Sequence, residues 1–169
     1  VADTPSSNCL IKISDTAGPA TATSGGVCTI VQQRTLTVTA TNGTENWEGG
    51  FSQTVTWTST GAIANVMIEY STDTGSTWNT VIASTANSGS YSWAVPNTPS
   101  GNCQVKISDT AGPALDVSDG VFTIQQQRTV TVTAPNNGED WSAYSYHDIT
   151  WITTCAIGNV KIQYSNNNG

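Results

Sequence analysis

Apolar and polar residues alternate through most of this chain with a period of two. Leu36, Val38 and Ala40 alternate with Thr35, Thr37 and Thr39, and Val55 and Trp57 alternate with Thr54, Thr56 and Thr58. Val66, Ile68 and Tyr70 then alternate with Met67 and Glu69. One apolar side chain every second residue marks a strand with a single buried face. A fourth strand is predicted after Trp78, a fifth carrying Tyr91, Trp93 and Val95, a sixth on Cys103, Val105 and Ile107, and a seventh on Phe122 and Ile124. Threonine suits the outward positions because its β-branch fits the pleat while its hydroxyl meets water. Turn-forming runs separate the strands: Asn42-Gly43, Asp73-Thr74-Gly75, Asn87-Ser88-Gly89, Pro96-Asn97-Thr98-Pro99 and Ala111-Gly112-Pro113.

Residues 5–75 and 99–169 are one sequence written twice, 94 positions apart without a gap. Lys12 to Pro19 return residue for residue as Lys106 to Pro113, and Trp47, Trp57 and Tyr70 return as Trp141, Trp151 and Tyr164. That period is too long for a solenoid turn and suits one small sandwich. Seven short strands per period, with no helical periodicity, predict an all-β protein of tandem immunoglobulin-like (fibronectin-III-like) sandwiches. The phase divides the chain into one complete and two partial units. Residues 1–34 are read as the last two strands of a repeat, 35–128 as a whole repeat, and 129–169 as the first three strands of another. Strand seven ends near Gln127 and the next repeat opens at Thr129, so the junction is short and stiff rather than a flexible linker. Val1 aligns with Val95 in mid-repeat, so the chain is expected to be a mature, trimmed or excerpted piece of something longer.

Charge narrows the function classes. The chain of 169 residues carries 5 basic and 12 acidic side chains, a net charge of −7. So few cations cannot neutralise many phosphates, which argues against nucleic acid as partner. No apolar run is long enough for a membrane-spanning helix. A charge-poor, Thr-rich β sequence reads as extracellular or cell-surface, and Asn42-Gly43-Thr44 fits both the N-glycosylation pattern and an ordinary turn.

Candidate chemistry is sparse. Ser71, Asp73, Gly75 and Trp78 stand in the pattern Ser-x-Asp-x-Gly-x-Thr-Trp, which resembles the Asp-box of sialidases and other propeller proteins. The resemblance implies a structural hairpin turn in which Asp caps backbone amides and Trp packs beneath. A propeller would carry one copy per blade of about 40–50 residues, so no sialidase is inferred. His147 replaces Gln53 of the preceding repeat and has no Cys/His cluster for zinc. No nucleophile elbow accompanies it. Asp15, Asp109, Asp116 and Asp119 fall in the loop regions between strands six and seven. Clustered carboxylates there are the one candidate for calcium, but turn-capping explains them more simply, and no cofactor or metal is expected. Trp47, Trp141, Tyr144 and Tyr146 are the candidates for a surface contact.

Cys9 and Cys103 are repeat equivalents, expected as buried thiols. Cys28 and Cys155 stand where the complete repeat has Phe122 and Gly61. They are the candidates for a disulfide between protomers: the loops that carry them are expected at one pole, so they would meet if two part-units joined. Four cysteines allow three pairings. The part-units are completed either by a neighbouring copy, head to tail, or by sequence beyond this chain.

The order of motifs resembles tandem domains of large bacterial surface and secreted proteins, themselves similar to the Ser/Thr-rich cell-wall family related to yeast glucan-assembly proteins. It rests on Val132-Thr133-Ala134-Pro135-Asn136-Asn137-Gly138-Glu139-Asp140-Trp141, Ile149-Thr150-Trp151 and Asn159-Val160-Lys161-Ile162. Gly89 to Pro96, Lys106 to Asp109 and Val121 to Ile124 continue it. The resemblance implies no enzyme and supplies no site residues. The expectation is a non-catalytic structural protein, a rod, filament or matrix component that self-associates head to tail. The alternative is an adhesin or carbohydrate-binding module that holds polysaccharide.

Overall fold

The inward positions of the alternation meet in one core. A computed structural model describes residues 4–167, and the regular structure among them is all β. An N-terminal segment holds β1 (Ser6–Cys9), β2 (Lys12–Ser14), β3 (Thr21–Thr23) and β4 (Cys28–Ile30). Next come β5 (Thr35–Ala40), β6 (Asn46–Glu48), β7 (Ser52–Thr60), β8 (Asn65–Ser71) and β9 (Asn79–Ala86). They are followed by β10 (Ser90–Ala94), β11 (Ser100–Asp109), β12 (Leu115–Val117) and β13 (Phe122–Gln125). The chain closes with β14 (Thr129–Ala134) and β15 (Thr150–Thr154).

Strands β5 to β13 build an immunoglobulin-like, fibronectin-III-like sandwich. One sheet has the order β10-β7-β5; the other has β6-β13-β11-β8-β9, with β12 added to β11. Among the described residues, the buried apolar ones all fall between Leu36 and Ile124. Phe122 is the hub: its ring lies 4.8 Å from Trp47 and 6.5 Å, edge-on, from Trp93. Tyr70 packs 5.0 Å from Trp93. Tilted and edge-to-face contacts of this kind suit the aromatic quadrupole. Trp57 is buried but keeps its indole N–H satisfied by donating to Asn87 Oδ1 at 2.7 Å.

The seven predicted strands are present as β5, β7, β8, β9, β10, β11 and β13, and two more join them. β6 runs parallel to β13, placing Trp47 beside Ile124. β12 pairs with the end of β11, and Asp116 on it accepts from the Val38 N–H across the sandwich at 2.8 Å. Both additions are three residues long, too short for a period of two to register. Trp47, expected among the surface aromatics, is therefore a core residue, because Phe122 and Trp93 cover it.

The outward threonines pair across strands. Thr35 and Thr60 hydroxyls meet at 2.7 Å and Thr39 and Thr56 at 2.8 Å; the repeat shows Thr133 with Thr150 at 2.7 Å and Thr129 with Thr154 at 3.0 Å. Such cross-strand pairs stabilise a sheet from its wet side. Arg34, just before β5, donates to Asp109 at the far end of β11 at 2.9 Å. The Ala111 N–H first, and then Arg34, hold the Asp109 carboxyl below the usual carboxylate range.

Truncating the hub should empty a central cavity. Phe122→Ala is expected to cost about 3–5 kcal/mol, read as a lowered urea midpoint followed by tryptophan fluorescence. A loss under about 1 kcal/mol would contradict the packing described.

Candidate assembly surfaces

The duplicated sequence shows the same residues both covered and uncovered. β14 and β15 pair in the register of β5 and β7: Val132 faces Trp151 as Val38 faces Trp57. The turn at Asn136 also repeats, with Glu139 accepting from the Asn136 and Asn137 N–H groups as Glu45 does from Asn42 and Gly43. What the C-terminal segment lacks, among the described residues, is a second layer. Ile162 is 56% exposed whereas its counterpart Ile68 is 0% exposed. Val130, Val132, Trp141, Trp151, Val160 and Ile162 line an open apolar groove of about 350 Å³.

The third strand expected in this segment, near Val160 to Tyr164, is not formed as a strand. Its counterpart β8 is held on both sides, by β9 and β11. A strand exists through its ladder, and here neither neighbour is present among the described residues.

The N-terminal segment is the converse. Ser6 faces Ile30 and Cys9 faces Cys28, as Ser100 faces Ile124 and Cys103 faces Phe122. Lys12 to Ser14 pair with Thr21 to Thr23 as Lys106 to Ser108 pair with Leu115 to Val117. The apolar side chains are left in water: Ile13 is 71% exposed and its counterpart Ile107 is 0% exposed. Without a β8-like neighbour, the counterpart of the continuous β11 is broken at Leu10 and Ile11 into β1 and β2.

The remaining expected site residues are dispersed. Trp141 stacks flat on His147, centroids 4.6 Å apart. His147 Nε2 lies 2.6 Å from Ser145 Oγ on the same exposed loop. Tyr144 and Tyr146 project fully into solvent, at 106% and 103% exposure. All four thiols are free; Cys103 is buried, Cys9 half-buried rather than fully covered, and Cys28 and Cys155 are exposed. Burial raises the Cys103 thiol above its usual value.

The shared pole expected for Cys28 and Cys155 is not seen in the complete unit. Along β8 and β11, Val66 faces Asp109 and Ser71 faces Gln104. Gly61, the counterpart of Cys155, precedes β8 at the Asp109 end, against Gln33 and Arg34. Phe122, the counterpart of Cys28, faces Cys103 beyond the other end. Six residues of strand separate those ends, about 20 Å at roughly 3.3 Å per residue.

The loop carboxylates are occupied in turns. Asp15 accepts from the Ala17 N–H as Asp109 does from Ala111, and Asp119 exchanges two hydrogen bonds with Asn42. Both ends of the Asn42 side chain are thus engaged, so a glycan on its nitrogen would displace Asp119. Among the described residues no cluster of three His, Cys, Asp or Glu is placed to hold a metal.

The turn between β8 and β9 is built on Ser71 and Asp73. The Ser71 hydroxyl accepts from the Asp73 and Gly75 N–H groups and donates to Asp73 Oδ1 at 2.7 Å. Asp73 accepts from the Thr77 hydroxyl at 2.6 Å and its N–H at 2.8 Å. Gly75 takes φ 79°, and a β-carbon there would lie 3.3 Å from the Trp78 ring. Lys106 sits 4.3 Å over that ring and pairs with Glu69 at 2.7 Å. These contacts assemble a tightly hydrogen-bonded hairpin.

No protein-family model matches the chain, and no curated protein matches it. In a solved structure it is similar to the fibronectin(III)-like modules of CbhA from Clostridium thermocellum, at 16% identity and a TM-score of 0.33. That likeness covers 70% of this chain and 62% of the other.

The Thr77 hydroxyl, then the Ser71 hydroxyl and the Thr77 N–H, lower the Asp73 carboxyl from 3.8 to about 2. A depressed folded pKa adds stability that is whole above the ordinary value and is lost as pH falls through the folded one. Asp73→Asn should therefore unfold at lower urea than the wild type at neutral pH, with the gap closing between pH 3.8 and about 2. A gap that ignores pH would show that the carboxylate charge contributes nothing.

Proposed function

We propose that the chain is a non-catalytic extracellular structural protein, a rod, filament or matrix component, whose copies join head to tail by exchanging strands. The observation that carries this is the pair of complementary bare faces: residues 5–31 duplicate β11 to β13, the strands packed across from β5 and β7 and beside β8 in the complete unit. Shifting the β8–β11 register by one repeat gives the joint. Ile11 of one copy would face Tyr164 of the next, Ile13 would face Ile162, and Asp15 would face Val160. Arg128, the counterpart of Arg34, would meet Asp15 as Arg34 meets Asp109. Each large aliphatic side chain so buried contributes about 1.5–3 kcal/mol. A head-to-tail contact between unlike faces propagates as a fibre when its rotation does not close a ring. Edge strands seeking partners supply its hydrogen bonds.

The extracellular assignment rests on the charge-poor, threonine-lined surface and on the family resemblance of the motifs. No helix among the described residues is long and apolar enough to cross a membrane. A second function has its own support. The joint holds no counterpart of Trp93, so Trp141 keeps an open side, and Tyr144 and Tyr146 of the same connection are fully exposed. Exposed aromatic rings suit stacking on a polysaccharide or a cell surface.

Sedimentation and electron microscopy test the assembly. The chain is expected to form concentration-dependent fibres, and Ile13→Asp or Ile162→Asp alone to reduce association at least tenfold, about 1.4 kcal/mol. Each variant spoils one end and spares the other, so an equimolar mixture should stop at dimers. A wild type that stays monomeric, or variants that polymerise normally, would overturn the proposal. Retained polysaccharide pull-down by that monomer, lost in Tyr144→Ala/Tyr146→Ala, would favour the binding module.

A further inference from the structure

Cys28 stands directly opposite Cys9. β1 and β4 run antiparallel with these two residues as cross-strand partners. Such partners place their side chains on one face of the pair, with Cα atoms about 4.5–5.5 Å apart. A disulfide requires Cα atoms roughly 4.4–6.8 Å apart. We propose that Cys9 and Cys28 form a cross-strand disulfide that staples the N-terminal hairpin.

The complete unit supplies the comparison. There the same register sets Cys103 against Phe122, whose ring fills the core beside Trp47 and Trp93. In the N-terminal segment the ring is replaced, at that one position, by a side chain able to bond covalently to its neighbour. The other thiols are poor partners. Cys103 is buried within the sandwich, and Cys155 lies after β15 with its sulfur 3.9 Å from the Gln126 carbonyl. Its counterpart Gly61 lies at the far end of β8 from Phe122.

The chemistry is thiol–disulfide exchange with a small external disulfide, such as oxidised glutathione, as oxidant. The exposed Cys28 thiolate attacks one sulfur of that disulfide and expels a thiolate. The Cys9 thiolate then attacks the Cys28 sulfur and expels the second. Two S–H bonds and one external S–S bond are lost, one S–S bond forms within the chain, and both protons end on the two released thiols. The bridge fixes the Cys9–Cys28 register while no second sheet covers the hairpin, which bare pairing leaves prone to slip.

Tryptic mapping reads this directly, because Lys12, Arg34, Lys106, Arg128 and Lys161 place each cysteine on its own peptide. The reduced full chain is incubated with oxidised glutathione, alkylated with iodoacetamide and digested. The expected product joins the peptide ending at Lys12 to Ile13–Arg34, two hydrogens lighter than the sum, with no cross-link at Cys155. In Cys28→Ser, Cys9 should lose its cross-link. Ile13→Asp, in which the proposed joint between copies is weakened, should form the same bridge, so this outcome is independent of assembly. A cross-link between Cys28 and Cys155, or Cys9 and Cys28 each alkylated or glutathionylated separately in the wild type, would overturn the proposal.

Discussion

An apolar strand face is stable in water only when a second layer covers it, and the whole organisation of this chain follows from that constraint. Leu36, Val38 and Trp57 of one sheet and Val66 and Ile68 of the other are buried because the two sheets face each other, with β11 and β13 completing the second beside β8. Their duplicates carry the same alternation into a segment where no such layer is present among the described residues, and they are exposed. One sequence therefore appears in two energetic states, and the difference lies in what stands opposite rather than in local preference. A hydrophobic face is non-directional in what it accepts. The N-terminal segment repeats the sequence of the strands that meet that face in the complete unit.

Polar contacts behave differently. The Thr pairs, the Asn-Glu turns and the Asp15 and Asp109 caps are made between residues close along one hairpin, and they recur in the part-units almost unchanged. Contacts between layers do not recur. Asp116 bonds the Val38 N–H, but its counterpart is Ala22; Asp119 holds Asn42, but its counterpart is Gly25. Local hydrogen bonds thus set each hairpin in advance, while burial decides whether hairpins become a sandwich. The N-terminal segment has given up these polar cross-layer partners and kept the apolar Ile11, Ile13 and Ile30, while Cys28 stands where the complete unit has Phe122.

Alternation made the seven main strands and nearly all of the core legible, because half-buried strands are the case in which period and burial coincide. It could not reveal β6 or β12, each three residues long, nor the dependence of Trp47 on Phe122 and Trp93, distant along the chain. It also marked Val160 to Tyr164 as a strand, since periodicity records the face a residue would bury and not whether a neighbour has arrived. Cys28 was legible as an exception to the repeat. That it faces Cys9 was not, because register comes from pairing geometry rather than from composition. The Ser71–Asp73 turn was legible through its resemblance to the Asp-box, and the side-chain bonds of Ser71 and Asp73 that build it span four residues or fewer.

The parallel pairing of β6 with β13 also governs how the complete unit carries load. These strands stand near its two ends in sequence and point the same way side by side. Tension drawn through the chain pulls β6 backward and β13 forward, so their hydrogen bonds are strained together in shear instead of parting one at a time like a zip. Trp47, wedged against Phe122 directly behind that seam, must be dragged from its packing before the strands can slide. Sliding these two strands past each other therefore breaks the seam as a whole, whereas peeling them apart breaks it bond by bond.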